Sequence, residues 1–306
     1  MTKTESAFSR PERMTNAMTV DVEDYFQVSA FESVIDPKEW DGFPCRVERN
    51  VDRILRLFSE ADIKATFFVL GWIAERYPTV VNSIVKEGHE VASHGYGHQR
   101  IIHQTPDEFR EDLLRSKALL EALVGQAVVG YRAPSYSIGE STLWAHDVLA
   151  DAGFQYSSSV VPVKHDLYGI PEGHRYPYRT ADNRLLEIPI STLKLMGRNI
   201  NCGGGGWFRF FPYAFTHHAV SSINANEQKP CVFYFHPWEI DPSQPKIRNA
   251  SVKSKFRHYL NLQKTSSRLK RLVSDFSWST MKDVYLYGEF SDDHITCSET
   301  SYVRGY

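Results

Sequence analysis

The sequence has no apolar run long enough to cross a membrane. A spanning helix needs about 18 or more consecutive apolar residues, and no segment approaches that length. The first residues, MTKTESAFSRPERMTNAM, also carry charged and polar side chains where a signal peptide has its apolar core. We therefore expect a cytoplasmic protein without a transmembrane segment.

Cysteine is scarce, and its spacing matches no known framework. Cys45, Cys202, Cys231 and Cys297 form neither a Cys-x-x-Cys pair nor a zinc-finger pattern. Scattered cysteines of this kind favour free thiols over a disulfide framework or a structural zinc site.

Neither sign of charge dominates the chain. Its 35 basic and 37 acidic residues give a formal net charge of −2. Proteins that bind nucleic acids or anionic membranes normally have a basic surplus. The overall charge therefore argues against both kinds of partner. The sequence also lacks internal repeats and long low-complexity linkers, which favours a single domain.

What the sequence does contain is an alternation of strand and helix patterns. Segments such as MTVDV, ATFFVL, HEVAS, VVGYR, LLEIPIS and CVFYF are typical of strands, and residues with helical periodicity separate several of them. Thr105, Pro106 and Glu108 form the start signal of one such helix. The alternation predicts a largely parallel sheet, either doubly wound or closed as a barrel, in which ligands bind beyond the carboxyl ends of the strands.

We divide the chain into three parts. Residues 1–16 are expected to be a flexible leader, residues 17–240 the main domain, and residues 241–306 an extension that packs on it. The region from about 160 to 230, which contains CGGGGWFRFFPY, is expected to be an irregular loop insertion, and its glycines lack the spacing of phosphate-binding motifs. A basic amphipathic helix is expected after residue 252.

Reactive side chains follow four of the predicted strands. They are Asp21, Glu23 and Asp24 after MTV, His94 and His98 after EVAS, Arg132 after VVGY, and His236 after VFYF. The strand ends of such a sheet converge, so these residues are expected to meet in one pocket. Two histidines four residues apart, together with a carboxylate, can hold one divalent metal and leave positions open for water and substrate.

The acidic cluster also allows other interpretations. Charges after a strand can solvate a loop or cap the next helix. A strand followed by Asp-x-Asp is typical of haloacid-dehalogenase-like enzymes, but Glu23 takes the second position here. Adjacent carboxylates repel one another, and a metal together with Arg132 would relieve that repulsion.

Taken in order, TVDVED, ATFFVLG, GHEVASHGYGH, GYRAPSY and YFHPWE resemble the polysaccharide deacetylases of carbohydrate esterase family 4, the NodB-homology domain. The segment through KFRHYLNLQ resembles the C-terminal extension of a bacterial subfamily associated with exopolysaccharide and exosortase loci. The resemblance implies an α/β fold, a distorted and partly open (β/α) barrel, as a single domain with loop insertions and a C-terminal helical extension.

The resemblance also implies roles for individual residues. Asp21 would be the base that activates water, Arg132 would hold that aspartate, and His236 would protonate the leaving amine. His94 and His98 would bind a divalent metal, which is usually zinc in this family. Pro134, Ser135, Tyr136 and Trp238 are the predicted substrate-binding residues, and Asp166 is a candidate partner for the acid histidine.

The third metal ligand is ambiguous, because Val22 and Glu23 separate Asp21 from Asp24 whereas the family's aspartates are adjacent. Strand alternation puts Glu23 on the same side as Asp21, but a turn would bring Asp24 inward instead. Asp24 is preferred, because its side chain is shorter and the family uses aspartate, and Glu23 is the alternative.

The function implied is metal-dependent removal of acetyl groups, chiefly N-acetyl groups, from an amino-sugar polysaccharide, oligosaccharide or lipid-linked precursor. The missing export signal favours the precursor, and a peripheral association with a polysaccharide-synthesis system is the expected partnership. Two alternatives stay open: a metal-independent, allantoinase-like hydrolase of a small cyclic amide or ureide, and a non-catalytic carbohydrate-binding relative.

Overall fold

A computed structural model describes residues 13–166, 168–288 and 290 of the chain. The predicted leader lies mainly outside these residues, as does Cys297, and the first strand already begins at Thr15. Cys45, Cys202 and Cys231 are free thiols. Among the described residues, no helix combines the length and the apolar character that crossing a membrane requires.

Eleven strands are described: β1 (Thr15–Val22), β2 (Thr66–Val69), β3 (Glu90–Ser93), β4 (Gly130–Tyr131), β5 (Tyr156–Ser157), β6 (Tyr178–Thr180), β7 (Leu185–Glu187), β8 (Thr192–Leu195), β9 (Arg198–Asn201), β10 (Val232–Phe235) and β11 (Ser277–Ser279). The α-helices of the same residues are α1 (Val47–Glu60), α2 (Gly71–Arg76), α3 (Pro78–Lys86), α4 (Pro106–Val124), α5 (Ala145–Asp151), α6 (Gly205–Phe210), α7 (Tyr213–Ser222), α8 (Val252–Tyr259), α9 (Leu262–Asp275) and α10 (Met281–Tyr285).

The main sheet has the order β10-β1-β2-β3-β4-β5-β7-β6, and β11 pairs with the start of β1. All of its neighbours are parallel except β6 and β7. Irregular backbone between β7 and α6 links the two ends of the strand order. Cys202 N–H donates to the Ser191 carbonyl after β7 (3.2 Å), and Tyr234 N–H in β10 donates to the Gly203 carbonyl (2.7 Å). This arrangement confirms the predicted distorted, partly open barrel.

The alternation of side chains along β1 explains how a carboxylate comes to lie inside the barrel. Met18, Val20 and Val22 pack in the large core between the sheet and its helices, whereas Ala17 packs with the residues of the barrel interior. Asp21 lies on the same face of β1 as Ala17, and it is buried.

The structure corrects two expectations about the second half of the chain. The region expected to be an irregular insertion contains the β8–β9 hairpin and the helices α6 and α7. The single helix expected after residue 252 is two helices, α8 and α9, and Asn261 between them has a left-handed conformation (φ 53°). Leu269, Leu272 and Val273 of α9 pack into the main core.

Candidate active site

A buried ion pair joins the ends of β1 and β4. Arg132 donates from Nη1 to Oδ1 of Asp21 (2.6 Å) and to Oγ1 of Thr19 (2.7 Å). Its Nε and Nη2 donate to the carbonyl and the hydroxyl of Ser158, both at 3.0 Å. The guanidinium lies 4.0 Å from the centroid of the Phe68 ring. Because Arg132 is fully buried and bonded on every side, it holds one oxygen of Asp21 in a fixed position.

Glu23, His94 and His98 form a cluster that suits a metal ion. One ligand atom from each of these buried side chains lies within 4.8 Å of the others. Within the described part of the chain, Oε2 of Glu23 accepts no hydrogen bond, although it is buried and 2.6 Å from Nε2 of His98. His94 donates from Nδ1 to the Arg132 carbonyl (2.8 Å), which leaves its Nε2 as a free ligand atom. This donor set fits a divalent cation.

The charges of the cluster also fit metal binding. Burial lowers the pKa of His94 to about 4, so its imidazole is neutral near pH 7. Burial raises the pKa of Glu23, but His98 and His236 outweigh that effect and lower the pKa to about 2. A neutral imidazole and an ionised carboxylate are the forms that bind metal ions.

Asp24, the preferred ligand in the sequence analysis, points elsewhere. Its Oδ2 accepts hydrogen bonds from the Arg46 N–H and from Sγ of Cys45 (3.0 Å), and its Oδ1 accepts from the Tyr25 N–H (2.7 Å). Asp24 therefore stabilises the start of α1, where backbone N–H groups lack partners within the helix. The geometry thus favours Glu23, the alternative ligand, over Asp24, the preferred one.

His236 lies close to both Asp21 and Glu23. Its Nε2 is 3.9 Å from Oδ2 of Asp21 and 3.5 Å from Oε1 of Glu23. Its Nδ1 is 2.6 Å from Oε1 of Glu239, whose Oε2 accepts from Nε of Arg209 (2.6 Å). Burial lowers the pKa of His236, but the three carboxylates outweigh it and raise the pKa to about 9. His236 therefore carries a proton near pH 7.

The sequence analysis missed Glu239 as the partner of His236. Asp166, the residue considered for that role, lies at the surface and pairs with Lys253 (2.7 Å) and Arg257 (3.2 Å). The signal was present in FHPWE, because a residue three positions after His236 in a helical turn lies next to it.

Trp238 supports the site instead of facing a substrate. Its Nε1 donates to Oε1 of Glu23 (3.1 Å). The rings of His236 and His258 stack on it, with centroids at 5.1 and 4.1 Å. Because His236 and His258 stack on the indole and the residue is buried, little of its ring surface is accessible to a sugar. This position does not favour the predicted substrate contact.

The turn at Pro134 brings a hydroxyl to Asp21. Ser135 and Tyr136 both have positive φ angles, 55° and 54°, which are rare for residues with a side chain. This backbone places Oη of Tyr136 at 3.3 Å from Oδ2 of Asp21. The N–H of Tyr136 donates within the turn to the Ala133 carbonyl (3.0 Å), so the hydroxyl is the group that Tyr136 offers to the site.

The structure thus brings the residues predicted from four strand ends, with the exception of Asp24, into one cluster. The chain can be compared with known proteins on that basis. Residues 39–157 match the family model described as polysaccharide deacetylase. This segment of the chain is thus similar to the polysaccharide deacetylases. Residues 158–286 match a second model, described as a domain of unknown function, DUF3473, and the boundary falls directly after β5.

Relatives with established names are similar to part of this chain. A peptidoglycan deacetylase of Helicobacter pylori is 34% identical over 114 residues, which is 37% of this chain and 38% of the relative. A peptidoglycan-N-acetylglucosamine deacetylase of Bacillus cereus is 36% identical over 94 residues, 30% of this chain and 34% of the relative. The matches thus span just over a third of these relatives' lengths.

The fold of most of the chain has a solved counterpart. It is the crystal structure of a protein described as a putative polysaccharide deacetylase from Mycobacterium smegmatis. The match covers 90% of this chain and 91% of the Mycobacterium chain. The TM-score is 0.58 and the sequence identity 21%, a level at which the likeness concerns the fold alone.

Proposed function

We propose that this protein is a metal-dependent hydrolase that removes acetyl groups, chiefly N-acetyl groups, from an amino-sugar glycan. The carrying observation is the cluster of three buried ligand side chains, Glu23, His94 and His98, within 4.8 Å of one another. Asp21, held by Arg132, and His236, held by Glu239, lie beside this cluster. The names of the two peptidoglycan deacetylases support the same substrate class.

Glu23, His94 and His98 would hold the metal, and zinc is the ion we propose for two imidazoles and a carboxylate. When bound, such an ion polarises a carbonyl group and lowers the pKa of water. The site needs this chemistry because an amide is a poor electrophile.

The chain's own residues supply the two proton transfers of amide hydrolysis. Asp21 accepts a proton from the attacking water through Oδ2, since Arg132 occupies Oδ1. His236 donates the proton of Nε2 to the leaving amine, since its Nδ1 is bonded to Glu239. The amide C–N bond breaks, and the products are acetate and the free amino sugar.

The finer substrate and the location belong to the same proposal. We propose a lipid-linked or exopolysaccharide precursor that is modified in the cytoplasm, supported by the resemblance of KFRHYLNLQ to the exopolysaccharide-associated subfamily. Acetate release from precursor and from free oligomers, together with fractionation of cells, tests these two points.

The test of the reaction is acetate release from N-acetylglucosamine oligomers. We expect activity that a chelator abolishes, that added metal restores, and that Asp21→Asn removes. Acetate release that persists in metal-free protein would contradict the metal mechanism and point to the metal-independent hydrolase. Glycan binding without any acetate release would point to the non-catalytic alternative.

A further inference from the structure

The near-neutral total charge hides a strongly basic segment. Residues 242–274 contain nine lysines and arginines and no acidic residue. The rest of the chain has 26 basic against 37 acidic residues, a net charge of −11. This segment can therefore attract an anionic surface even though the total charge of the chain is close to neutral.

The helix α8, within this segment, exposes two apolar side chains among basic ones. Val252 is 85% exposed and Phe256 is 57% exposed. They are four residues apart and thus lie on one face of the helix. Lys253, Lys255 and Arg257 flank them. An exposed apolar stripe with basic residues beside it is typical of helices that lie in the interface of a membrane.

The basic side chains of α8 have only weak partners in the protein. Lys253 and Arg257 pair with Asp166 at the surface, where ion pairs contribute little to stability. Lys255 donates to the carbonyl of Arg248 (2.6 Å), and Arg248 is itself an exposed residue. Anionic headgroups can therefore compete for these cations.

The opposite face of α8 forms part of the wall of the active site. His258 is buried there and stacks on Trp238, with ring centroids 4.1 Å apart. Trp238 in turn stacks on His236 and donates to Glu23. One side of α8 thus contacts the acid histidine, His236, through the stacked rings of His258 and Trp238. The other side of α8 is exposed to solvent.

Two neighbouring segments add exposed apolar side chains next to α8. Phe31 packs on His258, with ring centroids 4.7 Å apart, and three residues later Val34 is 37% exposed. Nη1 of Arg209 donates to the His258 carbonyl (2.7 Å), and the adjacent Phe210 is 55% exposed.

We propose that α8 and the loop before it form a docking surface for a lipid bilayer with anionic headgroups. Val252 and Phe256 enter the interface, and Lys246, Arg248 and Lys255 contact the anionic groups. A soluble acidic polysaccharide would use the same charges but would have no need of Val252 and Phe256. Docking holds the active-site wall at the membrane surface, which suits a substrate attached to lipid.

The test is co-sedimentation of the full chain with vesicles. We expect binding to vesicles of phosphatidylcholine mixed with phosphatidylglycerol, little binding to phosphatidylcholine alone, and weakening as salt is added. The double variant Val252→Ser/Phe256→Ser should bind at least about tenfold more weakly, because it removes two large apolar groups from the interface. Leu114→Ser is the matched control, since Leu114 is 47% exposed on α4.

A second pair of variants tests the charges. Lys246→Gln/Arg248→Gln should weaken binding to the mixed vesicles, whereas Lys38→Gln/Lys86→Gln, which removes two exposed lysines elsewhere, should not. Binding to a soluble polyanion that survives Val252→Ser/Phe256→Ser, with no vesicle binding, would overturn the proposal in favour of an acidic glycan. Absence of binding to either would overturn it outright. Sedimentation is read without substrate, so its result does not depend on deacetylation.

Discussion

The carboxylate of Glu239 joins the acid histidine to a buried arginine: Oε1 lies 2.6 Å from Nδ1 of His236, and Oε2 accepts from Nε of Arg209 at 2.6 Å. Arg209 also donates to the carbonyls of Arg257, His258 and Leu260 at the end of α8. The C-terminal segment thus helps to hold Arg209 in place, and Arg209 in turn holds Glu239 beside His236.

Glu239→Gln should lower kcat by about 10-fold or more with little change in KM. The amide keeps the hydrogen-bonding shape but loses the charge that stabilises protonated His236, so proton donation to the leaving amine is impaired. Steady-state acetate release over a pH series measures this, and the alkaline limb of the profile should move to lower pH.

Asp241→Asn is the control for that variant. Asp241 is also a buried carboxylate and pairs with Arg46 (2.5 Å) and Arg49 (2.9 Å), but it belongs to a different ion-pair cluster from His236. We expect reduced stability and an unchanged pH profile. If both variants lose activity without any shift of the pH profile, Glu239 has only a structural role.

The choice between Glu23 and Asp24 can be tested by metal content. Removing a residue that hydrogen-bonds to a metal ligand typically weakens metal binding by about 10–100-fold. Glu23→Gln should weaken it by more than that, because it changes the proposed ligand itself. Asp24→Asn should retain the metal but lower the melting temperature, because the amide has one acceptor oxygen and no charge where both carboxylate oxygens accept backbone N–H groups. Equilibrium dialysis followed by mass spectrometry gives both affinities. Folded Asp24→Asn protein that no longer binds metal would show that Asp24 is a ligand after all.

Trp238→Phe should lower metal affinity by about 10–100-fold while the protein stays folded, because Glu23 loses the indole N–H that orients it. The phenyl ring preserves most of the stacking between His236 and His258. Trp278→Phe is the matched control: this buried indole donates to the Leu272 carbonyl in the core and should affect stability alone. Equal metal affinities of the two variants would contradict the role assigned to Trp238.

The sequence predicted the strand ends well, since the periodicity of apolar residues marks each strand and parallel strands bring their carboxyl ends together. It could not reveal the task of Asp24, because two donors that this carboxylate binds, the Cys45 thiol and the Arg46 N–H, lie more than twenty residues away. Strand alternation alone had placed Glu23 with Asp21, whereas the shorter side chain of Asp24 and the family's use of aspartate pointed to Asp24.

The glycine run at residues 203–206 shows a second limit of the sequence. It was interpreted as a flexible loop, but Gly204 (φ 125°) bridges to Tyr234 of β10 and Gly205 begins α6. A Cβ on Gly204 would lie 1.9 Å from the Tyr234 carbonyl oxygen, so only glycine permits this close approach. Such a contact with a distant strand is invisible in local sequence.

Tyr136→Phe should reduce kcat by roughly 3–10-fold and leave KM nearly unchanged, because it removes one long hydrogen bond of 3.3 Å to Asp21 and keeps the ring. The base would then be less firmly oriented toward water. Tyr131→Phe is the control, since this buried tyrosine packs on Phe109 and Phe154 in the outer core. Acetate release at saturating and limiting substrate separates the two parameters. A loss of 100-fold or more would mean that the hydroxyl itself takes part in proton transfer.

His89 should make folding stability depend on pH between about 4 and 6.5. Burial lowers its pKa from 6.5 to about 4, and Nδ1 accepts the Ala65 N–H (3.2 Å), which requires the neutral ring. The unfolded chain takes up a proton near pH 6.5 but the folded chain only near pH 4. The stabilisation is therefore complete above pH 6.5 and is lost as pH falls through this window. His89→Asn retains an acceptor without titrating, so urea unfolding of metal-free protein should show a smaller slope against pH. His103→Asn, which removes an exposed imidazole, should keep the wild-type slope; an unchanged slope in His89→Asn would instead assign the pH dependence to other buried groups.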